Sequence, residues 1–249
     1  MHPRIRNTYR LLGISLAAVL GAACSSDDNG FTIPPPPPPP PPPAMASFDV
    51  TVTNLSNSQP LSPVAVIAHQ DGYSVFTVGA AATAGLEALA EGGDNTALIA
   101  EADADAAVMM TVSGAAPIGP AGAETISIQV LASDLPSLSV SFSTMLVNTN
   151  DAITGTNGAP VGDMQPGDSM SWRTVVYDAG TEANTEAAAH IPGPAGGGEG
   201  FNAVRDDIAD RVAMHSGVVS QDDSFAASDL TGQHRFDNPV AQVRVERIN

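Results

Sequence analysis

Hydrophobic and polar residues alternate in several short stretches of the chain. In residues 47–55, Phe48, Val50 and Val52 alternate with polar side chains, which predicts a strand with one buried face. Residues 64–69 form a more fully apolar strand candidate. Further strands are predicted at residues 73–78, 108–113, 124–132, 138–147, 170–177 and 239–248.

Helical signals are fewer and weaker than strand signals. Residues 80–91 place Leu86 and Leu89 among alanines before Gly92-Gly93, which predicts a helix with a glycine stop. Residues 95–106 indicate a second, weaker helix, and the Ala-rich residues 182–190 a short one. About eight strands at short spacing, with turns between them, favour a mainly β fold, a β-sandwich with one or two short helical excursions.

The first 23 residues have the pattern of a secretory signal peptide. Three arginines precede a thirteen-residue apolar core at residues 11–23, which is shorter than the roughly 20 residues of a membrane-spanning helix. Small residues then precede Cys24, the only cysteine, as in a bacterial lipoprotein cleavage site. We therefore expect a lipid anchor on Cys24. The alternative is an ordinary signal peptide with an incidental cysteine.

Residues 24–46 are expected to connect that anchor to a domain at residues 47–249. A polar, disordered segment is followed by ten consecutive prolines at residues 34–43, and such a run adopts polyproline II. We interpret it as a stiff stalk rather than as a ligand for a Pro-rich recognition module. Ser25 and Ser26 after Cys24 fit sorting to the outer membrane of a Gram-negative cell.

Charge narrows the possible partners. The chain has nine cations, all arginine, against 27 acidic residues, and without the three arginines of the signal region the balance is 6 − 27 = −21. Such an acidic surface repels phosphate backbones, so we expect no nucleic-acid partner. Divalent cations are compatible with it.

The stretch from Val147 to Glu182 contains the most specific candidate chemistry. Asp178 and Glu182 are four residues apart around Gly180, so one tight loop can turn both carboxylates towards one ion, and Asp151 can join from the preceding loop. Hard oxygen ligands suit Ca²⁺, with backbone carbonyls, Asn150 or water completing six to eight ligands.

Other chemistry has less support in the sequence. The histidines lack the spacing of a zinc site, and no GxSxG, GxGxxG or P-loop pattern occurs. Paired carboxylates of a glycosidase remain possible among so many acids. We expect a protein that is not an enzyme.

Seven segments, in order along the chain, carry a family resemblance. They are FDVTVTNLS from Phe48, a Pro-Val-x-Val-x-x-His strand at residues 63–69, LAEGGD at 89–94, STMLVNTNDA at 143–152, YDAGTE at 177–182, IPGP with GGGEGF at 191–201, and NPVAQVRV at 238–245. Together they resemble the spondin domain, known from the N-terminal half of the animal matrix protein F-spondin and from bacterial exported proteins.

That resemblance implies an antiparallel, eight-stranded, C2-like β-sandwich that binds calcium in the loops at one end. Position by position it implies Asp151, Asp178 and Glu182 as metal ligands. The animal pattern has Asp at the place of Glu182, so the ion is expected to sit differently or to bind more weakly. The chain also lacks the cysteines of the animal proteins.

The sequence thus predicts a calcium-binding module on the cell surface, as an outer-membrane lipoprotein. Its partners would be the membrane, through the anchor, and a surface or matrix ligand, protein or glycan. Two alternatives stay open: a secreted hydrolase that uses the same acidic loops, and a purely structural metal.

Overall fold

The computed structural model describes residues 37–207 and 209–249. The predicted signal peptide, the predicted lipidation site Cys24 and the start of the proline run therefore lie outside the described residues. Residues Pro42–Asn249 form one compact unit. None of the helices in the described ranges has the length and apolar character needed to cross a membrane.

Ten strands and two α-helices are present in the described residues. In chain order they are β1 (Met45–Asn54), β2 (Ala65–His69), α1 (Ala84–Gly92), α2 (Thr96–Asp103), β3 (Val108–Ser113), β4 (Ala123–Leu131), β5 (Ser139–Met145), β6 (Ala152–Pro160), β7 (Ser169–Thr174), β8 (Val176–Asp178), β9 (Ala213–Met214) and β10 (Ala241–Arg247).

The strands form two antiparallel sheets. A four-stranded sheet has the order β4-β1-β10-β7, and a six-stranded sheet has the order β3-β2-β5-β6-β8-β9. The closing strand β10 pairs with β1 at the other end of the chain, with Val50 opposite Val245. The prediction of a mainly β sandwich is therefore confirmed.

The six-stranded sheet is covered on both faces. Phe48 of β1 and Val243 of β10 meet Phe142 of β5 in the core between the sheets. On the opposite face, Leu86 and Leu89 of α1 pack with Ile67 and Ile153. Because both faces are buried, β2 and β5 are buried at every position, which explains the continuous apolar character of residues 64–69.

Helix α1 ends where the sequence indicates. Its N-cap Thr83 accepts a hydrogen bond from the backbone N–H of Leu86 at 3.2 Å, and its C-cap Gly93 adopts the left-handed conformation. The helix therefore begins at Ala84 rather than at residue 80. Its C-terminal end lies near the loop that follows β5, since a Cβ on Gly93 would approach the Met145 sulfur.

The sequence pattern missed strand β6. No strand was predicted at residues 152–160, because glycine, asparagine and proline, which occur here at Gly155, Asn157, Gly158 and Pro160, have low strand propensity. Gly155 is required by close packing, because a Cβ there would lie 2.4 Å from the carbonyl oxygen of Phe142 on β5. Tertiary pairing with β5 thus overrides local propensity.

Three other predictions were wrong in detail. Residues 73–78 are not a strand, because the N–H groups of Val75 and Phe76 donate to the side chain of Asn157. Residues 170–177 do not form one strand, since the chain leaves one sheet after β7 and enters the other at β8. Residues 182–190 contain only a 3₁₀ turn at Ala188–His190. Eight of the ten strands in the described chain have five or more residues, which is the number of strands that the sequence predicts.

Candidate metal centre

Strand register brings the two acidic loops together. Strands β6 and β8 pair antiparallel with Ala152 opposite Asp178, so Asp151 at the start of β6 lies beside the end of β8. The backbone N–H of Ala179 donates to the carbonyl oxygen of Asp151 at 3.2 Å. The predicted convergence of the Asp151 loop with the YDAGTE loop is therefore present.

Asp151 is buried completely and is held on one side only. Its Oδ2 accepts hydrogen bonds from the backbone N–H groups of Thr181 (2.8 Å) and Glu182 (3.1 Å) and from the Thr181 hydroxyl (3.2 Å). Its Oδ1 has no hydrogen-bond partner. Burial, followed by the negative charge of Asp178, raises the Asp151 pKa to about 7, against the lowering effect of those hydrogen bonds.

Gly180 allows the loop to close over Asp151. Its φ of +73° lies in the left-handed region, and a Cβ there would lie 2.4 Å from the carbonyl oxygen of Arg211. Both the conformation and the close approach require glycine at this position. The following residues, Thr181 and Glu182, then point their N–H groups at Asp151.

Glu182 is almost fully buried, at 8% exposure. Burial is the first cause that raises its pKa, to about 8, and the negative charges of Glu91, Asp151, Asp206 and Glu199 raise it further. All the neighbouring charges that act on this carboxyl are therefore of the same sign as its own. Such a position favours a proton or a cation.

Asp178 is turned towards its own loop. Its Oδ1 accepts from the backbone N–H of Gly180 at 2.8 Å, and its Oδ2 accepts from the side-chain amide of Asn184 at 2.6 Å. A carboxylate oxygen has two acceptor positions, so each of these atoms keeps one. Of the three predicted ligands, Asp151 and Glu182 are buried and Asp178 is half-buried.

Two further oxygens at this end have no partner. The side-chain oxygen of Asn150, which was considered as an additional ligand, is buried and unpaired. So is Oε1 of Glu91, in the last turn of α1. Sequence reasoning missed Glu91 as a site residue, although it lies within the LAEGGD segment, because a carboxylate near a helix end is typically solvent-exposed.

The donor set is chemically suited to a hard cation. Every candidate atom is an oxygen, and unpaired buried oxygens come from Asp151, Asn150 and Glu91. Among the described residues, however, no group of three or more His, Cys, Asp or Glu side chains is already gathered around one point as a metal site. A bound ion would have to draw its last ligands inwards by side-chain rotation.

Three cavities in the described chain lie away from these residues. One of about 230 Å³ lies beside Asp71 and Pro160, one of about 240 Å³ beside Trp172, and one of about 410 Å³ beside Tyr73 and Asp105. None of the three is lined by Asp151, Asp178 or Glu182. The carboxyl groups of Asp151 and Glu182, whose pKa values are raised, therefore line none of these three cavities.

Comparison with known protein families identifies one match. The family model described as Spondin_N matches residues 54–191, which is more than half of the 249-residue chain. The matched range contains β2 to β8, helix α1 and all three predicted ligands. Most of β1 and all of β10 lie outside it, yet they complete the four-stranded sheet. No curated protein matches the chain.

Proposed function

This chain belongs to the spondin N-terminal domain family, and from that premise we propose that it is a calcium-binding adhesion module without catalytic activity. Spondin domains are typically extracellular. In the proposed role, one Ca²⁺ stabilises the loops at one end of the sandwich, and those loops bind a protein or glycan ligand on a surface or in a matrix.

The observation that carries this proposal is the unpaired Oδ1 of Asp151. The other oxygen of the same carboxylate is held by three donors of the YDAGTE loop, so the side chain cannot easily rotate. A buried carboxylate oxygen without a partner is costly unless a proton or cation satisfies it. No ion pair of Asp151 or Glu182 with an arginine is found in residues 37–207 and 209–249.

The candidate ligands would contribute in different ways. Asp151 supplies a fixed oxygen, Glu182 a longer and more adjustable one, and Asp178 the acceptor positions left by Gly180 and Asn184. Bound calcium would supply positive charge that neutralises these converging carboxylates. The loops that carry them would then lose conformational freedom.

A neighbouring loop provides a surface for a ligand. Phe201 and Val204 are exposed, at 50% and 71%, on a segment fastened to the acidic residues. The backbone N–H of Asn202 donates to Glu91 at 2.8 Å, and that of Asp206 donates to the Thr181 carbonyl at 3.2 Å. Ordering of the acidic residues by an ion would therefore also order this exposed apolar loop.

Anchoring to the outer membrane is part of the same proposal. It depends on Cys24, which lies outside the described residues, and on the proline run as a stalk. Labelling of cells with an alkyne fatty acid should mark the wild-type protein and not Cys24→Ser. Equal labelling of both proteins would remove the lipid anchor from the proposal.

Calorimetric Ca²⁺ titration of residues 42–249, after chelator treatment, tests the calcium function. One saturable site that Asp151→Asn abolishes and Asp178→Asn weakens supports the proposal, with Asp71→Asn as an exposed control. Equal weak binding by all four proteins would mean that the acidic surface only attracts cations. Calcium binding that raises the melting temperature but leaves ligand binding unchanged would reduce the metal to a structural role.

A further inference from the structure

Glu91 occupies a position that opposes a negative charge. It is in the last turn of α1, where the helix dipole disfavours an anion, and that turn contains no basic residue. Its side chain is only 1% exposed. Its Oε2 accepts a hydrogen bond from the Asn202 N–H at 2.8 Å, whereas Oε1 has no partner.

The surroundings of Glu91 are mostly acidic or neutral. Burial is the main cause that raises the pKa of Glu91, and the negative charge of Glu87 raises it further. The N–H of Asn202 and the hydroxyl of Thr181 lower this pKa in part. Arg205 is the nearby cation, but it already pairs with Glu87 and Asp210, each at 2.7 Å. The charge of Glu91 is therefore not matched by a dedicated partner.

Glu91 adjoins the candidate metal centre. The segment whose Asn202 N–H binds Glu91 is also bound to the YDAGTE loop, because the Asp206 N–H donates to the Thr181 carbonyl at 3.2 Å and Asp206 Oδ1 accepts from the Ala183 N–H at 2.7 Å. Glu91 is also the charged neighbour with the largest effect on Glu182. Three buried carboxylates, those of Glu91 in α1, Asp151 at the start of β6 and Glu182 in the loop after β8, are thus connected through the YDAGTE loop and residues 202–206.

We propose that Glu91 is a further ligand of the cation, so that one divalent ion connects helix α1 to the loops of Asp151 and Glu182. This inference rests on the proposed calcium function and extends its ligand set beyond the two loops. An ion at this place would satisfy Oε1 of Glu91 and Oδ1 of Asp151, the two unpaired carboxylate oxygens of the cluster. It would also tie the helical layer to the sandwich.

A matched control for Glu91 exists elsewhere in the chain. Glu124 on β4 also has one oxygen bound to a backbone N–H, that of Ala115 at 2.6 Å, and one oxygen without a partner. It lies beside the end of edge strand β3, away from the acidic loops. The substitutions Glu91→Gln and Glu124→Gln thus each remove one carboxylate charge, the first from a buried residue beside the candidate centre and the second from a half-buried residue outside it.

The test combines calorimetric Ca²⁺ titration with thermal unfolding of residues 42–249. We expect Glu91→Gln to weaken Ca²⁺ binding at least tenfold and to raise the melting temperature in chelator, because the amide still accepts from Asn202 but no longer repels Glu182. Glu124→Gln should leave the affinity within twofold of wild type. A side chain with a merely structural role would lower the melting temperature and leave the affinity unchanged.

The outcomes separate the two proposals. If Glu91→Gln binds Ca²⁺ like the wild type while Asp151→Asn abolishes binding, the role of Glu91 is overturned and the calcium function stands. If the wild type shows no saturable binding, the calcium function itself fails. If Glu91→Gln does not fold, hydrogen exchange of the wild type decides: Ca²⁺ should slow exchange at the Asn202 amide, and unchanged exchange there overturns the inference.

Discussion

The carboxylate of Asp151 accepts a 2.8 Å hydrogen bond from the backbone N–H of Thr181, a residue 30 positions further along the chain. This contact fastens the loop after β8 to the start of β6, while the second carboxylate oxygen of Asp151 is left buried and without a partner. Both the stability of this end and its proposed affinity for a cation depend on it.

Substitutions of Asp151 should separate hydrogen bonding from charge. Asp151→Ala removes the acceptor of three donors and should destabilise the protein by about 3 kcal/mol, because buried N–H groups lose their partner. Asp151→Asn keeps a carbonyl acceptor and removes the charge. In chelator it should melt at or above the wild-type temperature, and a fall as large as that of Asp151→Ala would contradict this account.

Gly180→Ala should damage the YDAGTE loop more than its backbone conformation alone explains. Gly167 is the control, because its φ is also positive, at +89°, but a Cβ there has nothing within 4 Å. Both substitutions bear the cost of a left-handed alanine, about 1–2 kcal/mol. Gly180→Ala also forces the chain away from Arg211 and should cost about 2 kcal/mol more, measured by urea unfolding. Equal losses would show that the close approach is unimportant.

Stability without divalent ions should fall between pH 6.5 and pH 8. The folded protein holds a proton on Glu182 up to about pH 8 and on Asp151 up to about pH 7, whereas the unfolded chain loses both near pH 4. The folded state thus binds more protons in this window, and its stability decreases as pH rises. Buried His215, whose pKa is lowered, opposes this trend only weakly, because the unfolded chain holds about half a proton on that histidine at pH 6.5 and almost none at pH 8.

The expected size of this effect is about 2 kcal/mol, or roughly 4–8 °C in melting temperature. Thermal unfolding in chelator at the two pH values measures it. Glu182→Gln should flatten the dependence, and added Ca²⁺ should reverse it by replacing the proton. A wild-type melting temperature that rises from pH 6.5 to pH 8 in chelator would contradict the raised pKa values.

The ion pairs of Arg205 should contribute more to the free energy of unfolding than the surface ion pair of Arg244. It pairs with Glu87, whose side chain is 8% exposed, and it also donates to the carbonyl of Ala82 at 2.8 Å. Arg205→Ala leaves that buried carboxylate uncompensated and should cost about 2–3 kcal/mol. Arg244→Ala, which breaks a surface pair with Glu246, should cost less than about 1 kcal/mol. Chemical denaturation of both variants compares them, and similar losses would be unexpected.

Much of the sandwich follows from the sequence because one-sided burial leaves a period-two pattern. The alternation in residues 47–55 identified β1, and that in residues 239–248 identified β10. Strand β6 was not predicted, because Gly155 is required there by its close contact with β5 and has low strand propensity. The break at Val175 was also missed, because residues 170–177 have strand propensity throughout and no glycine or proline marks the passage from one sheet to the other.

The sequence by itself determined the β-sandwich, the family and the two acidic loops, because patterning and the YDAGTE segment are local properties of the chain. Only the tertiary structure decided which carboxylates are buried and which oxygens are left unpaired. It placed Asp151 under the N–H groups of residues 181 and 182, turned Asp178 towards Gly180 and Asn184, and brought Glu91 into the cluster. Burial and hydrogen bonding between distant segments are set by packing, which a one-dimensional pattern does not encode.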